Sequence, residues 1–143
     1  MDIAKKNRIL GIDLGERRTG IAISDLTGTL AGGLVTIQSS GLRDTAAQVS
    51  ELALKHGVSV IVIGKPLNMN GTLGESGERA LKFAEILGGT GDFEIILFDE
   101  RLTTSLAHVY MNQTGTRSRK RKAAVDMLSA QILLQNFIDS RKI

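Results

Sequence analysis

Apolar and polar positions divide the chain into short strand-like and longer helix-like segments. Runs of β-branched and aliphatic residues bounded by glycine predict strands, and apolar residues spaced three and four apart predict helices. The predicted strands cover residues 8–14, 20–25, 32–38, 58–63 and 94–99, and the predicted helices cover 41–56, 78–87, 103–112 and 123–140. Residues 64–77 contain four glycines and the only proline, so we expect a long loop there, at the rim of a site.

The order of these elements predicts the fold class. Short connections between the first three strands indicate an antiparallel meander, whereas the last two strands follow helices and are therefore expected to be parallel. Residues 58–63 are almost entirely β-branched, as in a strand buried on both faces. We therefore predict an α/β fold: a five-stranded mixed sheet of three antiparallel and two parallel strands with helices on both faces. This is the outline of a ribonuclease H-like domain, and 143 residues fit one such domain, 1–143.

The composition excludes several classes of protein. The absence of cysteine excludes disulfides, thiolate zinc sites and cysteine nucleophiles, and it fits a reducing cytoplasm. Two histidines cannot build a multi-histidine metal site. No apolar run approaches the roughly 20 residues of a membrane span, and the first residues have no apolar signal core. We expect a soluble, cytoplasmic protein with no membrane partner.

The net charge of +3 conceals a local basic stretch. Five of the 18 basic residues fall between positions 117 and 122, and the remainder of the chain carries −2 without them. Such a stretch is suited to holding the phosphate backbone of a nucleic acid. The alternative is a solvated basic loop. The residues are Arg117, Arg119, Lys120, Arg121 and Lys122.

Carboxylates stand where two predicted strands end. Asp13 follows the apolar residues of the first strand, and Asp99 and Glu100 close the last one. Since parallel strands end at the same edge of a sheet, these groups are expected to converge there. Strand alternation sends Asp99 and Glu100 to opposite faces, so only one of them joins Asp13. The alternative for Asp13 is a turn cap before Gly15.

Asp126 is expected on the inner face of the last helix. At about 100° per residue, Leu133 and Phe137 lie within roughly 20° of it, whereas a solvated aspartate would lie elsewhere on the helix. The alternative is a buried ion pair with Arg101 or a nearby lysine.

Three converging carboxylates repel each other unless cations join them. Oxygen ligands without histidine or cysteine favour Mg2+ or Mn2+. Two such ions would leave about one positive charge for a phosphodiester, which suits two-metal hydrolysis. Arg17, Arg18 and Arg101 are further candidates for phosphate contacts, although a surface role fits Arg17 and Arg18 equally well.

The joint order of several motifs resembles the YqgF (RuvX) family. The motifs are GIDLG at 11–15, RRTG at 17–20, GKP at 64–66, DERLTT at 99–104 and KRK at 120–122, followed by Asp126. Members are described as pre-16S rRNA nucleases and as homologues of Holliday junction resolvases, with a ribonuclease H-like fold. The resemblance implies that Asp13, Glu100 and Asp126 form the catalytic, metal-binding triad, which selects Glu100 over Asp99. It also implies pre-rRNA or branched DNA as substrate and the ribosome as a partner.

Two other classes of function stay open at this stage. Asp13 to Gly20 also looks like the phosphate-binding hairpin of actin-like sugar kinases and ATPases, but those enzymes close two lobes around a nucleotide. A nucleic-acid-binding ribosome-biogenesis factor with little catalysis would keep the same fold. Symmetric cutting of a junction would require a homodimer, whereas trimming of RNA needs only a monomer.

Overall fold

The computed structural model describes residues 8–65, 70–99 and 119–141, without the side chains of 119–121. Glu100, Arg101, Arg117 and the predicted helix 103–112 lie outside these residues. None of the described helices combines the length and the apolar character that a membrane span needs. The elements are β1 (Arg8–Asp13), β2 (Arg18–Ser24), β3 (Ala31–Gln38), α1 (Leu42–His56), β4 (Val58–Lys65), α2 (Glu75–Gly88), β5 (Glu94–Asp99) and α3 (Arg119–Ser140).

The five strands form one mixed sheet in the order β3-β2-β1-β4-β5. β1 pairs antiparallel with β2, and β2 pairs antiparallel with β3. β4 pairs parallel with β1 and with β5, because a helix carries the chain back across the sheet before each of these strands. The predicted fold class is confirmed.

Each face of the sheet has its own apolar core. On one face α1 and α2 pack against Leu10, Ile12 and Ile21, with Phe83 of α2 fully buried. On the other face α3 packs alone. The apolar core between α3 and this face of the sheet consists of Ile9, Ala22, Val62, Ala130, Leu134, Phe137 and Ile138.

A row of small residues lets α3 lie close to the sheet. Gly11 is paired with Ala22, and Ala22 is paired in turn with Gly33. A Cβ on Gly11 would stand 2.8 Å from the Cβ of Leu134, so a larger residue there would push the helix away. This close packing fixes where the side chains of α3 meet the strands.

The predicted loop over 64–77 is wrong at both ends. β4 continues to Lys65, which pairs with Asp99 of β5. α2 begins at Glu75, because its first turn holds Glu75 and Glu78, and acidic side chains are favoured near the positive end of a helix. Gly77 breaks the sequence pattern but is buried inside the helix, where a small residue fits.

The start of α3 also differs from the prediction. The helix begins at Arg119 rather than at residue 123. Residues 119–122 of the basic stretch therefore belong to its first turn.

The turn between β2 and β3 is built around one carboxylate. Asp25 accepts hydrogen bonds from the backbone N–H of Thr29 (2.9 Å) and Leu30 (3.3 Å), and from the hydroxyl of Thr27 (3.0 Å). These bonds, that of Thr29 foremost, lower the pKa of Asp25 from 3.8 to about 2. The turn is therefore stabilised by the charged form of Asp25.

Gln135 attaches this turn to α3. Its side-chain oxygen accepts a hydrogen bond from the N–H of Ala31 at 2.8 Å, and its amide nitrogen donates to the carbonyl of Thr29 at 3.1 Å. The hairpin of β2 and β3 is thus fixed to the helix at one end.

We expect Asp25→Asn to lower the melting temperature at neutral pH. Because the pKa of Asp25 is depressed in the folded state, its contribution is complete above about pH 4 and is lost as the pH falls towards 2. Thermal unfolding of wild type and variant should therefore converge over that range. The exposed Asp92→Asn serves as a control that follows wild type throughout. A difference in melting temperature between wild type and Asp25→Asn that stayed constant down to pH 2 would contradict the role of the charge.

Candidate active site

Asp13, the last residue of β1, faces α3. It alternates with Gly11, which lies beneath Leu134, so the two residues share one face of the sheet. Its side chain is only partly buried. The strand thus delivers a carboxylate to the end of the groove between the sheet and α3.

Gly20 joins Asp13 to α3. It is the direct partner of Asp13 on β2, and on its other side it pairs with Thr36 of β3. A Cβ at Gly20 would overlap the backbone carbonyl of Asp126. The helix backbone therefore rests on the strand at this glycine. The backbone of Asp126 therefore lies against the residue that is paired with Asp13 in the sheet.

Asp126 forms an ion pair with Arg18. The Nε atom of Arg18 donates to Oδ2 of Asp126 at 2.7 Å. The two side chains are 31% and 21% exposed, so solvent weakens the attraction and the pair chiefly orients the carboxylate. An ion pair was the alternative considered for Asp126, but the partner is Arg18 rather than Arg101 or a lysine.

Thr36 fixes the beginning of α3. Its hydroxyl donates to the carbonyl of Ala123 at 2.7 Å, three residues before Asp126. Neither Thr36 nor the contact at Gly20 was expected from the sequence, although Gly20 stands within the quoted RRTG motif. A threonine in a strand carries no signal of its own.

Asp99, the last residue of β5, lies on the face of the sheet opposite to that of Asp13. Phe98 packs edge-to-face on Phe137 of α3, with ring centroids 5.6 Å apart. Leu97 packs into the opposite core. Because side chains alternate, Asp99 shares the face of Leu97 and points away from α3. Of the two candidates at this strand end, Asp99 is thus on the face opposite Asp13.

The described carboxylates are suited to a hard cation. Asp13 and Asp126 offer only oxygen donors, and oxygen donors match Mg2+ or Mn2+. Within the described part of the chain no group of three or more acidic, histidine or cysteine residues could hold a metal ion. Glu100, the third predicted ligand, lies outside that part.

Basic side chains lie next to this pair. Arg17, Arg18 and Lys122 line a recess of about 370 Å3 beside the start of α3. Arg119, Lys120 and Arg121 belong to the first turn of the same helix. Of the predicted basic stretch, Lys122 therefore lines this recess, and it precedes Asp126 by about one helical turn.

The chain matches the model of the RuvX family, described as a Holliday junction resolvase, over residues 7–140. This chain belongs to the RuvX family. A relative from Thermoanaerobacter pseudethanolicus is 43% identical over 136 residues, which are 94% of this chain and 98% of the relative. One from Ruminiclostridium cellulolyticum is 46% identical over 133 residues, covering 92% and 94%. Both relatives are named "Putative pre-16S rRNA nuclease".

Solved structures place this RuvX family member in a wider fold group. The fowlpox virus resolvase, solved with Holliday junction DNA, superposes with a TM-score of 0.59 at 11% identity, covering 95% of this chain and 99% of that one. Thermus thermophilus RuvC, in complex with a Holliday junction substrate, gives a TM-score of 0.56 at 12% identity and covers 94% of each chain. At these identities the likeness establishes the fold alone.

We expect Gly20→Ala to destabilise the protein by about 3 kcal/mol, the upper part of the usual overpacking range, because the added methyl meets backbone rather than a movable side chain. Gly32→Ala is the matched control, since nothing lies within 4 Å of the position its Cβ would take. Urea unfolding should show a change of no more than about 1 kcal/mol for the control. Equal effects of the two substitutions would refute the close contact between α3 and Gly20.

Proposed function

We propose that this chain is a metal-dependent nuclease that hydrolyses phosphodiester bonds in structured nucleic acid. The substrate that we propose is pre-16S rRNA, cut at its 5′ end in the cytoplasm, by one domain that spans residues 1–143. The names of the relatives that share more than 40% of their residues with this chain support this substrate.

One observation carries the proposal: Asp13 and Asp126 both adjoin Gly20, the first as its strand partner and the second through its backbone. They belong to elements far apart in the sequence, and the contact that joins them leaves no room for any side chain on the glycine. Carboxylates that converge at one edge of a sheet repel each other unless cations join them, and the guanidinium of Arg18 is one such cation beside Asp126. This arrangement is typical of a metal site rather than of a turn cap.

Glu100 is the third ligand in this proposal. Asp99 faces α1 and α2, and residue 98, two positions before Glu100, faces α3. The pleat of β5 therefore favours Glu100 over Asp99 as the partner of Asp13 and Asp126.

Asp13, Glu100 and Asp126 would hold Mg2+ or Mn2+. When bound, such ions activate a water and stabilise the leaving oxygen of a phosphodiester. The chain itself would orient the ligands: Gly20 sets the distance of α3 from the sheet, and Arg18 holds the carboxylate of Asp126 through Oδ2. No protein nucleophile is required.

The basic first turn of α3 would hold the substrate beside the carboxylates. Arg119, Lys120, Arg121 and Lys122 precede Asp126 by one to two helical turns. Together with Arg17, Arg18 and Arg101, they would supply affinity for the phosphate backbone without reading sequence.

Branched DNA is the second candidate substrate. The family description as a Holliday junction resolvase favours it. A dimer would then be needed to cut both strands of the junction, whereas RNA trimming requires one chain.

We expect Asp13→Asn, Glu100→Gln and Asp126→Asn each to lower the rate of cleavage by at least about a thousandfold in Mg2+ or Mn2+, with binding retained. Each substitution removes the charge of a ligand and keeps its size. Asp99→Asn is the matched control and should cut like wild type, because Asp99 lies on the opposite face. Unchanged cleavage in all three ligand variants would reject the nuclease site.

The same preparations distinguish the substrates. Precursor 16S rRNA and a four-way DNA junction, offered under identical metal and salt conditions, should show preferential cleavage of the RNA, and the product ends locate the cut. Preferential cutting of the junction would favour the resolvase function instead. If the wild-type protein bound one of these nucleic acids but cut neither, this would indicate an assembly factor.

Neutralising residues 119–122 to glutamine should weaken binding and reduce its dependence on salt. Each lost phosphate contact lowers the slope of log affinity against log salt by about 0.7 to 0.9. The control neutralises four cations of α1 and α2, Arg43, Lys55, Arg79 and Lys82, and should leave the slope unchanged. If both sets changed the slope alike, the stretch would be ordinary surface.

A further inference from the structure

A polar recess lies between the adjoining ends of β2 and β3 and the first turns of α3. Arg18 and Gln38 face each other across the two strands and form one side of it. Lys122 and Ala123 of α3 form the other. Its volume of about 370 Å3 falls within the roughly 300 to 1,000 Å3 of clefts that hold small ligands. The recess therefore has room for part of a nucleotide.

The described lining of the recess is basic and contains no acid. The side chains of Arg17 and Lys122 are exposed, and neither has a hydrogen-bonding partner among the described residues. Arg18 uses Nε for Asp126 in the one contact that the structure shows, and its two terminal nitrogens can serve a second acceptor. Arg17 and Lys122 repel each other, and Asp126 neutralises only Arg18, so an anion that joins the basic groups of the recess is favoured.

The uncharged side chains of the recess also match a phosphodiester. Gln38 is exposed and offers both a donor and an acceptor. The hydroxyl of Thr36 donates to Ala123, so its remaining lone pairs can accept from a sugar hydroxyl but not bind the phosphate itself. A guanidinium group binds two phosphate oxygens at once. The set therefore suits a phosphate with its adjoining sugar, because the basic groups can bind the phosphate oxygens and the uncharged side chains can bind a sugar hydroxyl.

We propose that this recess binds a single backbone phosphate of the nucleic acid, next to the bond that is cut, so that the strand leaves the carboxylates towards the β3 edge of the sheet. This inference rests on the nuclease function proposed above. Arg18 is the residue shared by both sites, because it holds Asp126 and lines the recess. It would set the spacing between the bound phosphate and the cleavage site.

In the first test, inorganic phosphate is added to the full chain in EDTA, and the chemical shifts of the backbone amides are measured by NMR. Saturable shifts are expected for Thr36 and Gln38 and are expected to disappear in the double variant Arg17→Gln, Lys122→Gln. The double variant Arg43→Gln, Lys55→Gln, with two exposed cations removed from α1, should retain them. No shifts, or shifts that survive the recess variant, would overturn the site.

The second test distinguishes a backbone phosphate from free phosphate. Binding of a fluorescein-labelled single-stranded RNA is measured by anisotropy over a range of salt concentrations in EDTA. If Arg17 and Lys122 share one phosphate, the recess variant lowers the salt slope by about 0.7. A loss of about 1.4, as expected for two independent contacts, would contradict a shared phosphate. An unchanged slope together with saturable NMR shifts would mean that the recess takes only free phosphate, which also overturns the proposal.

The same assays distinguish failure of this inference from failure of the proposed function. Asp13→Asn lacks a residue of the carboxylate site but leaves the recess intact, so its phosphate shifts and salt slope should equal those of wild type. Metal-dependent cleavage without phosphate binding in the recess would reject the recess alone. Phosphate binding in a wild-type protein that does not cleave in Mg2+ or Mn2+ would reject the nuclease function.

Discussion

The contact between the backbone of α3 and Gly20 is the constraint on which the site depends. A helix normally rests on a sheet through interlocking side chains, which can shift by changing rotamer. Here the carbonyl of Asp126 lies directly on a strand, and no side chain can take up an error in position. The row of Gly11, Ala22 and Gly33 extends the close approach along the helix. The contact between backbones therefore fixes the position of the helix, and with it the position of the Asp126 carboxylate.

The elements of the fold could be predicted because each depends on local pattern. The antiparallel and parallel directions of the strands followed from the short and helical connections, and the inward position of Asp126 followed from the helical period. The ion pair between Arg18 and Asp126 could not be predicted, since its members are 108 positions apart and meet only because β2 happens to lie beneath α3. The start of α2 differs for another reason: the glycines and the proline of 64–77 predict a loop, whereas the last of these glycines, Gly77, lies buried inside the helix.

Charge is distributed unevenly around this edge of the sheet. Arg18 is paired with the carboxylate of Asp126, and it also lines one recess together with Arg17 and Lys122. Exposed charges are largely screened beyond roughly 8 Å in physiological salt, so each group acts on its neighbours more than on distant molecules. A mild overall charge thus coexists with strong local fields, which position a polyanion more than they attract it from afar.

The pleat of β1 makes the register of the sheet a condition for chemistry as well as for stability. Ile9, Gly11 and Asp13 face α3, whereas Leu10 and Ile12 face the other core. A slip by a single residue would exchange the two faces, placing Asp13 among the apolar side chains around Phe83 and forcing bulky residues under α3. A chain in the wrong register could not remain folded, so every molecule that folds carries its carboxylate in the groove.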